Sequence, residues 1–396
     1  MILPESMDKP GVTAARLLKE SLALKDPFGV PTLLIRPEDF EPTESEAERN
    51  AFPNLAEAKL KSRIDAHIEK FLTEVSAGDK NKNEALSEML AGSMGYIAEK
   101  ARKSAGNKDY NDANTASFVL KGEKDSVCGI IVEPRESYSF YKFSSYLTGV
   151  KQEQFANAPP ISAEEGRLLT HWHEAAHTTG ADEAQADKMA ALVIRRALPD
   201  SQILSVYSDM RALDALYSYK EKCRDGSDRI SNYGWNCVDA LDAVLKMPIE
   251  QVRGMSEADI RRTVDEKFDP RVDAIKKVSS ILEEENPDAM KNRDLNQTAE
   301  SLRKLLAENA FGDSGDEATK VARRALKAIE RTTGVTPSLT ASFTKSGLAG
   351  PVDDLCEEFE KCATGKNVAA SPQLRADAKA DLPAVPVKQE NIPRFG

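Results

Sequence analysis

Histidine is scarce in this chain, with four among 396 residues, and three of the four fall in His171-Trp172-His173-Glu174-Ala175-Ala176-His177. On a helix, residues four apart lie on one face with Cβ atoms about 5–6 Å apart. His173 and His177 can therefore bring two imidazole nitrogens to one divalent ion. Glu174 is rotated about 100° from His173, which sets its carboxylate beside such an ion, where a water would sit. Two ligands and a general base from little more than one turn is the physical content of the His-Glu-x-x-His pattern. His171 projects about 200° from His173 and does not share that face. A zinc ion that does chemistry needs a third protein ligand and one open position. Downstream lies Thr178-Thr179-Gly180-Ala181-Asp182-Glu183-Ala184-Gln185-Ala186-Asp187, a run that carries three carboxylates.

Over residues 162–198 the chain resembles the zincin metallopeptidases. His173 to Glu183 fits the extended metzincin spacing with Gly180 at the turn, except that Glu183 stands where that family has His or Asp. Glu183 and Asp187 also read as Glu-x-x-x-Asp, which is similar to the third-ligand helix of gluzincins, although only five residues separate His177 from Glu183. The resemblance implies one Zn²⁺ per chain, held by His173, His177 and Glu183, with Glu174 as general base. Asp187 is then the alternative ligand or the carboxylate that fixes an imidazole tautomer. It further implies hydrolysis of peptide bonds in a protein or peptide substrate. An oxyanion would be stabilised by one of Tyr207, Arg211, Tyr217 and Tyr233, among which the sequence does not choose. A sheet strand would pair with the extended substrate, and residues 127–133 are the candidate edge. The alternative from another class is a non-catalytic helical interaction protein with a structural or degenerate zinc site, which would have no use for Glu174.

The elements that must position these residues are legible from caps and periodicity. Ser162 with Glu165 forms a capping box, so a helix should run from there to Thr179 and stop at Gly180. Asp182 reads as the N-cap of a second helix that ends at Pro199. Upstream, Leu60, Ile64, Ile68, Phe71, Leu72 and Val75 make a helical stripe with His67 beside it as a boundary residue. A further helix is expected over 83–103. Residues 115–121 and 127–133 read as a hairpin, and 137–143 as a third short β-type stretch. Helices are expected over 202–222, 235–246, 256–268, 272–284, 298–308, 316–332 and 353–361.

The fold expected is α+β and predominantly α: a small antiparallel sheet over a zincin-type active-site helix, with an extended helical C-terminal region. The organisation expected is a Pro-rich arm over 1–54, conceivable as an inhibitory pro-segment. A catalytic domain over 55–250, a helical region over 251–362 and a disordered tail over 363–396 follow it. Net charge is −11, which disfavours binding to a nucleic-acid backbone. No apolar stretch approaches the ~20 residues of a membrane span. No basic-then-apolar leader is present, so the expectation is a soluble protein, cytoplasmic or exported without a cleaved signal. Five dispersed cysteines with no Cys-x-x-Cys pair read as free thiols. Neither a phosphate-cradling loop nor a nucleophile elbow occurs.

Overall fold

The computed structural model describes residues 2–25, 28–36, 45–51, 53–76, 116–121, 126–133, 139–223 and 226–334. The expected helices over 83–103 and 353–361 and the tail over 363–396 lie outside them. Residues Met1–Val335 form one compact unit, and the expected boundaries at 54 and 250 fall inside it. Among the described residues no helix is long and apolar enough to cross a membrane. Cys223 and Cys237 are free thiols.

The unit is mostly helical. Its N-terminal part contributes α1 (Ala14–Leu22), β1 (Thr32–Ile35), α2 (Glu46–Ala51), α3 (Pro53–Ser76), β2 (Ala116–Lys121), β3 (Ser126–Val132) and α4 (Phe140–Thr148). The central helices are α5 (Ala163–His177), α6 (Glu183–Ala197), α7 (Ile203–Tyr217), α8 (Arg229–Asn232) and α9 (Trp235–Lys246). Then come α10 (Ile249–Gly254), α11 (Glu257–Asp265), α12 (Val272–Glu285), α13 (Pro287–Asn292), α14 (Leu295–Ala307) and α15 (Glu317–Thr333). At the centre, α5 packs on α6, α7 and α9 close around α6, and α12 and α15 pack behind α7.

The sheet departs from expectation. Its order is β1-β3-β2. β2 and β3 form the expected hairpin pairing, with a register shift at Leu120/Lys121. The β1–β3 pair, however, runs parallel, with Leu33 opposite Ile130 and Ile35 opposite Val132. The sheet is therefore not an antiparallel one, and β3 is its central strand rather than a free edge. The physical reason is visible in β3 itself. Ile130, Ile131 and Val132 are all fully buried, a continuous apolar run of the kind that central, two-side-covered strands carry. Of the stretch 137–143, residues 139–143 are described, and they are not a strand either. Ser139 accepts from the Lys142 N–H and starts α4, and Gly149 at φ 67° ends it. Aromatic content there serves helix packing, with the Phe140 ring set edge-on to Tyr141 and Tyr207.

The segment expected as an arm is woven into the core. Leu17 and Leu18 of α1 are buried, and α1 packs on α5. Trp172 of α5 donates from Nε1 to Ser21 Oγ at 3.1 Å, and the Phe28 ring meets its indole edge-on at 5.5 Å. On the other side β3 touches the end of α5 so closely that a Cβ at Gly129 would lie 2.6 Å from Thr178 Cβ. Only glycine allows that approach.

The α5 capping box forms as expected, with Ser162 and Glu165 bonded reciprocally, worth about 1 kcal/mol. Burial works against the Glu165 charge, but the hydroxyls of Ser201 and Ser162 and the Ser162 N–H hold its pKa below the usual carboxylate range. Its contribution is present above that range and fades as pH falls through the lowered value. Leu17→Ala should cost about 2–5 kcal/mol, as deletion of a buried leucine does, read from urea unfolding. A loss well under 1 kcal/mol would mean that α1 is only loosely attached.

Candidate metal centre

The two halves of the site sit on α5 and α6, and the turn between them does the positioning. The end of α5 is tied off by Thr178 and Thr179, whose hydroxyls donate to the carbonyls of Ala175 and Ala176. Gly180 takes φ 91°, a backbone state that costs a side-chain-bearing residue more. Asp182 then caps α6 in a second capping box with Gln185. Glu183 is thus the first residue of α6 and is returned to the last turn of α5. The short connection is what brings the Glu183 carboxylate within reach of the histidine pair.

His173 Nε2 and His177 Nε2 lie 3.1 Å apart. Glu183 straddles them, with Oε2 at 3.4 Å from His173 Nε2 and Oε1 at 3.6 Å from His177 Nε2. Four ligands about 2.05 Å from a tetrahedral zinc are separated by about 3.3 Å. The nitrogen pair lies near the length of one edge of that tetrahedron, and the carboxylate spans the pair through its two oxygens, so the donor set fits a divalent ion of this kind. His173, His177 and Glu183 are the one group among the described residues that could hold a metal. His177 and Glu183 keep 19% and 20% of their side-chain surface exposed, so the fourth direction is reachable from solvent.

The outward nitrogens are held as well. His177 Nδ1 lies 2.8 Å from the Ala181 carbonyl, which fixes the proton on Nδ1 and aims Nε2 inward. His173 Nδ1 lies 2.8 Å from Asp187 Oδ1, an ion-pair contact too bent for a straight hydrogen bond. Asp187 is fully buried. It accepts from Arg211 Nε at 2.8 Å and Nη2 at 2.9 Å, and from the Tyr207 hydroxyl at 3.0 Å. Arg211 also reaches Glu183 Oε2 at 3.5 Å.

Burial opposes charge on His173, but the carboxylates of Asp187 and Glu183 outweigh it and raise the pKa to about 10. Burial likewise opposes charge on Glu183 and on Asp187. For Glu183 the contacts with His173, Arg211 and His177 hold the pKa below the usual range. For Asp187, Arg211 and His173 do the same. The cluster is two carboxylates balanced by a guanidinium and by whatever positive charge lies between the imidazoles.

The four oxyanion candidates separate cleanly. Tyr207 and Arg211 are committed to Asp187, and Tyr217 donates to Thr298 Oγ1 at 3.0 Å, away from the histidines. Tyr207 and Tyr217 each give their one hydroxyl hydrogen to a core acceptor, whereas Arg211, with two nitrogens on Asp187, also reaches the Glu183 carboxylate. Tyr233 stands beside Glu183 as well. It is half-buried, and the Arg229 and Arg211 guanidinium groups lie 4.8 and 5.8 Å from its ring centroid. Burial, then the nearby Glu183 carboxylate, push its phenol pKa up. Gly234 behind it is required, because a Cβ there would meet the Ile230 carbonyl at 2.1 Å. Glu174 is half-buried on α5 next to His173. His171 faces away, its Nδ1 bonded to Glu133 in full burial. His67 lies elsewhere, 3.2 Å from the Leu34 carbonyl.

Sequence reasoning missed the Ala181 carbonyl, which only the turn geometry reveals. It also missed that Tyr207 and Arg211 act together. Their i, i+4 spacing on α7 was a usable signal for one shared partner. Asp187→Ala should weaken zinc affinity about 10–100-fold, the usual effect of losing an outer carboxylate, measured by competition with a chelator. Unchanged affinity would mean that His173 is oriented without Asp187. No family model, curated protein or solved structure matches this chain.

Proposed function

We propose that this chain is a zinc-dependent metallopeptidase in which His173, His177 and Glu183 hold one Zn²⁺ and Glu174 is the general base. The observation that carries the reading is the convergence of two Nε2 atoms and one carboxylate within the reach of a single ion, with His177 Nδ1 bonded to the Ala181 carbonyl and His173 Nδ1 set against Asp187. Such preorganisation is what a metal site needs and what a solvated helix face does not produce.

Bound zinc would supply a Lewis acid that acidifies a water and polarises the scissile carbonyl. Glu174, offset by about 100° on the helix, accepts the proton of the attacking water and delivers it to the leaving amine. The Tyr233 hydroxyl, kept protonated by its surroundings, donates to the oxygen on which charge develops. Asp187 and Arg211 hold the His173 ring rather than touching substrate. An extended peptide adds to β2, the outer strand that lies against α5, in place of the central β3.

A closed structural zinc site takes four protein ligands; the three here leave one position open, which favours turnover. The decisive comparison uses purified protein reloaded with zinc. Wild type should hold about one zinc per chain and His177→Ala should lose it. Glu174→Gln should keep the metal and lose cleavage of a mixed peptide library by about 10²–10⁴-fold. Absence of zinc from the reloaded wild type would sink the reading, and full activity in Glu174→Gln would sink the role of that residue. Tyr233→Phe should keep the zinc and lower kcat about 10²–10³-fold, as loss of one oxyanion donor does. An unchanged kcat would remove Tyr233 from the chemistry.

A further inference from the structure

Arg167 lies on α5, about two turns ahead of Glu174, and no role has yet been given to it. Only 9% of it is exposed. Its Nε is buried without a hydrogen-bonding partner, and among the described residues its guanidinium makes no hydrogen bond or ion pair. A cation taken out of water without a partner is costly, and buried arginines are ordinarily paired. Those of the adjoining helices obey that rule: Arg195 donates to the Pro199 carbonyl, Arg196 to Asp8 and Arg211 to Asp187. Glu133 does not serve Arg167, since one of its oxygens is bonded to His171 and the other has no hydrogen-bonding partner.

The neighbours of α5 fix the side to which this guanidinium turns. Successive residues step about 100° around a helix. Trp172 faces Phe28, which leads into β1. His171, one step round, is bonded to Glu133, just past the end of β3. Arg167 and Glu174 follow at about 40° and 60° further round in the same sense. The sheet order is β1-β3-β2, so both turn to the side of β2, which packs on α5. β3 runs from Gly129 at Thr178 to Glu133 at His171. With Ala116 opposite Val132, the start of β2 lies towards the Arg167 end of α5. Arg167 and Glu174 are ~10.5 Å apart along the helix and about 20° apart around it. An extended chain covers that length in about three residues at ~3.3 Å each.

We propose that Arg167 is a specificity-determining residue that takes a carboxylate of the substrate about three residues from the scissile bond. The inference rests on the peptidase reading, in which Glu174 marks the scissile bond and the peptide runs along β2. An arginine holds a carboxylate through two parallel N–H groups, and where water is largely excluded that pairing is strengthened. The carboxylate is that of an Asp or Glu side chain or of a free C-terminus.

The probes are short amidated peptides of uncharged residues in which one Glu is moved along the chain, each with its Gln counterpart, and the same uncharged peptides with a free C-terminus. Binding is read by calorimetry on zinc-loaded Glu174→Gln protein, and cleavage on wild type. At the favoured position the Glu peptide should exceed its Gln counterpart by about 10–100-fold in affinity and in kcat/KM. Arg167→Met should bring the Glu peptide down to the level of the Gln peptide without lowering the melting temperature, because no partner is lost. Arg167→Lys should keep part of the preference. An Arg167-dependent gain for the free C-terminus, and none for an internal Glu, would identify the terminal carboxylate as the one bound. Binding of no peptide, equal binding of acidic and neutral peptides throughout, or a preference that survives Arg167→Met would each overturn the proposal. Equal cleavage of both kinds by wild type removes the subsite and leaves the peptidase standing. An Arg167-dependent preference in binding, with no cleavage by wild type, removes the peptidase and leaves the carboxylate site standing.

Discussion

The buried carboxylate of Asp187 is the interaction on which the centre of this molecule depends. A carboxylate taken out of water carries a penalty of several kcal/mol even after relaxation, and Asp187 is fully buried. It is tolerated because Arg211 grips it through two nitrogens, Tyr207 donates to it, and His173 presents a ring nitrogen to it. Each of those partners is itself buried, so water cannot take the place of Asp187 for any of them. The group forms as a unit or leaves uncompensated charge in the core. In forming, it sets the rotation of α6 against both α5 and α7. Glu183, one turn earlier on α6, is thereby held against the histidine pair.

The next residue along extends the same logic to the opposite side of α6. Lys188 is almost fully buried, yet its ammonium donates to the carbonyls of Thr263 and Glu266 at 2.7 and 2.8 Å and lies 4.4 Å from the Phe268 ring centroid. These carbonyls belong to the last turn of α11 and its exit, where cations are favoured by the helix dipole. Two successive charged residues of α6 are thus satisfied by different neighbours about 100° apart. The helix that carries Glu183 is pinned on two faces by groups of the protein itself.

The C-terminal helices serve this arrangement from behind. Arg324 of α15 bonds Asp209 and Ser208 of α7 and Asp242 of α9, and Arg331 reaches Asp209 at 3.0 Å. This network braces α7, the helix that supplies Tyr207 and Arg211. At the other end, α1 and β1 brace α5 through Trp172 and through the β1–β3 pair. The buried charges named here are each met by an opposite charge or by hydrogen-bonding groups, as burial demands.

Local sequence determined the helical character of the chain, the start of α5 at Ser162 and of α6 at Asp182, and the sharing of one helix face by His173 and His177. Caps and a 3.6-residue period are properties of a few neighbouring residues and need no fold to express them. The strand character of 116–121 and 126–132 was legible for the same reason. The partner of β3 was not, because β1 lies almost a hundred residues away in sequence, and parallel pairing leaves no local turn signal. Nor was the division of labour among Tyr207, Arg211, Tyr217 and Tyr233. Each is a polar aromatic or cationic side chain whose role is set by what it meets: Asp187 for two, Thr298 for one, and the Glu183 carboxylate for the last. Tertiary structure alone decides such matters, because a hydrogen bond or ion pair is a relation between groups brought together by packing, whereas a cap or a helical stripe is written into consecutive residues.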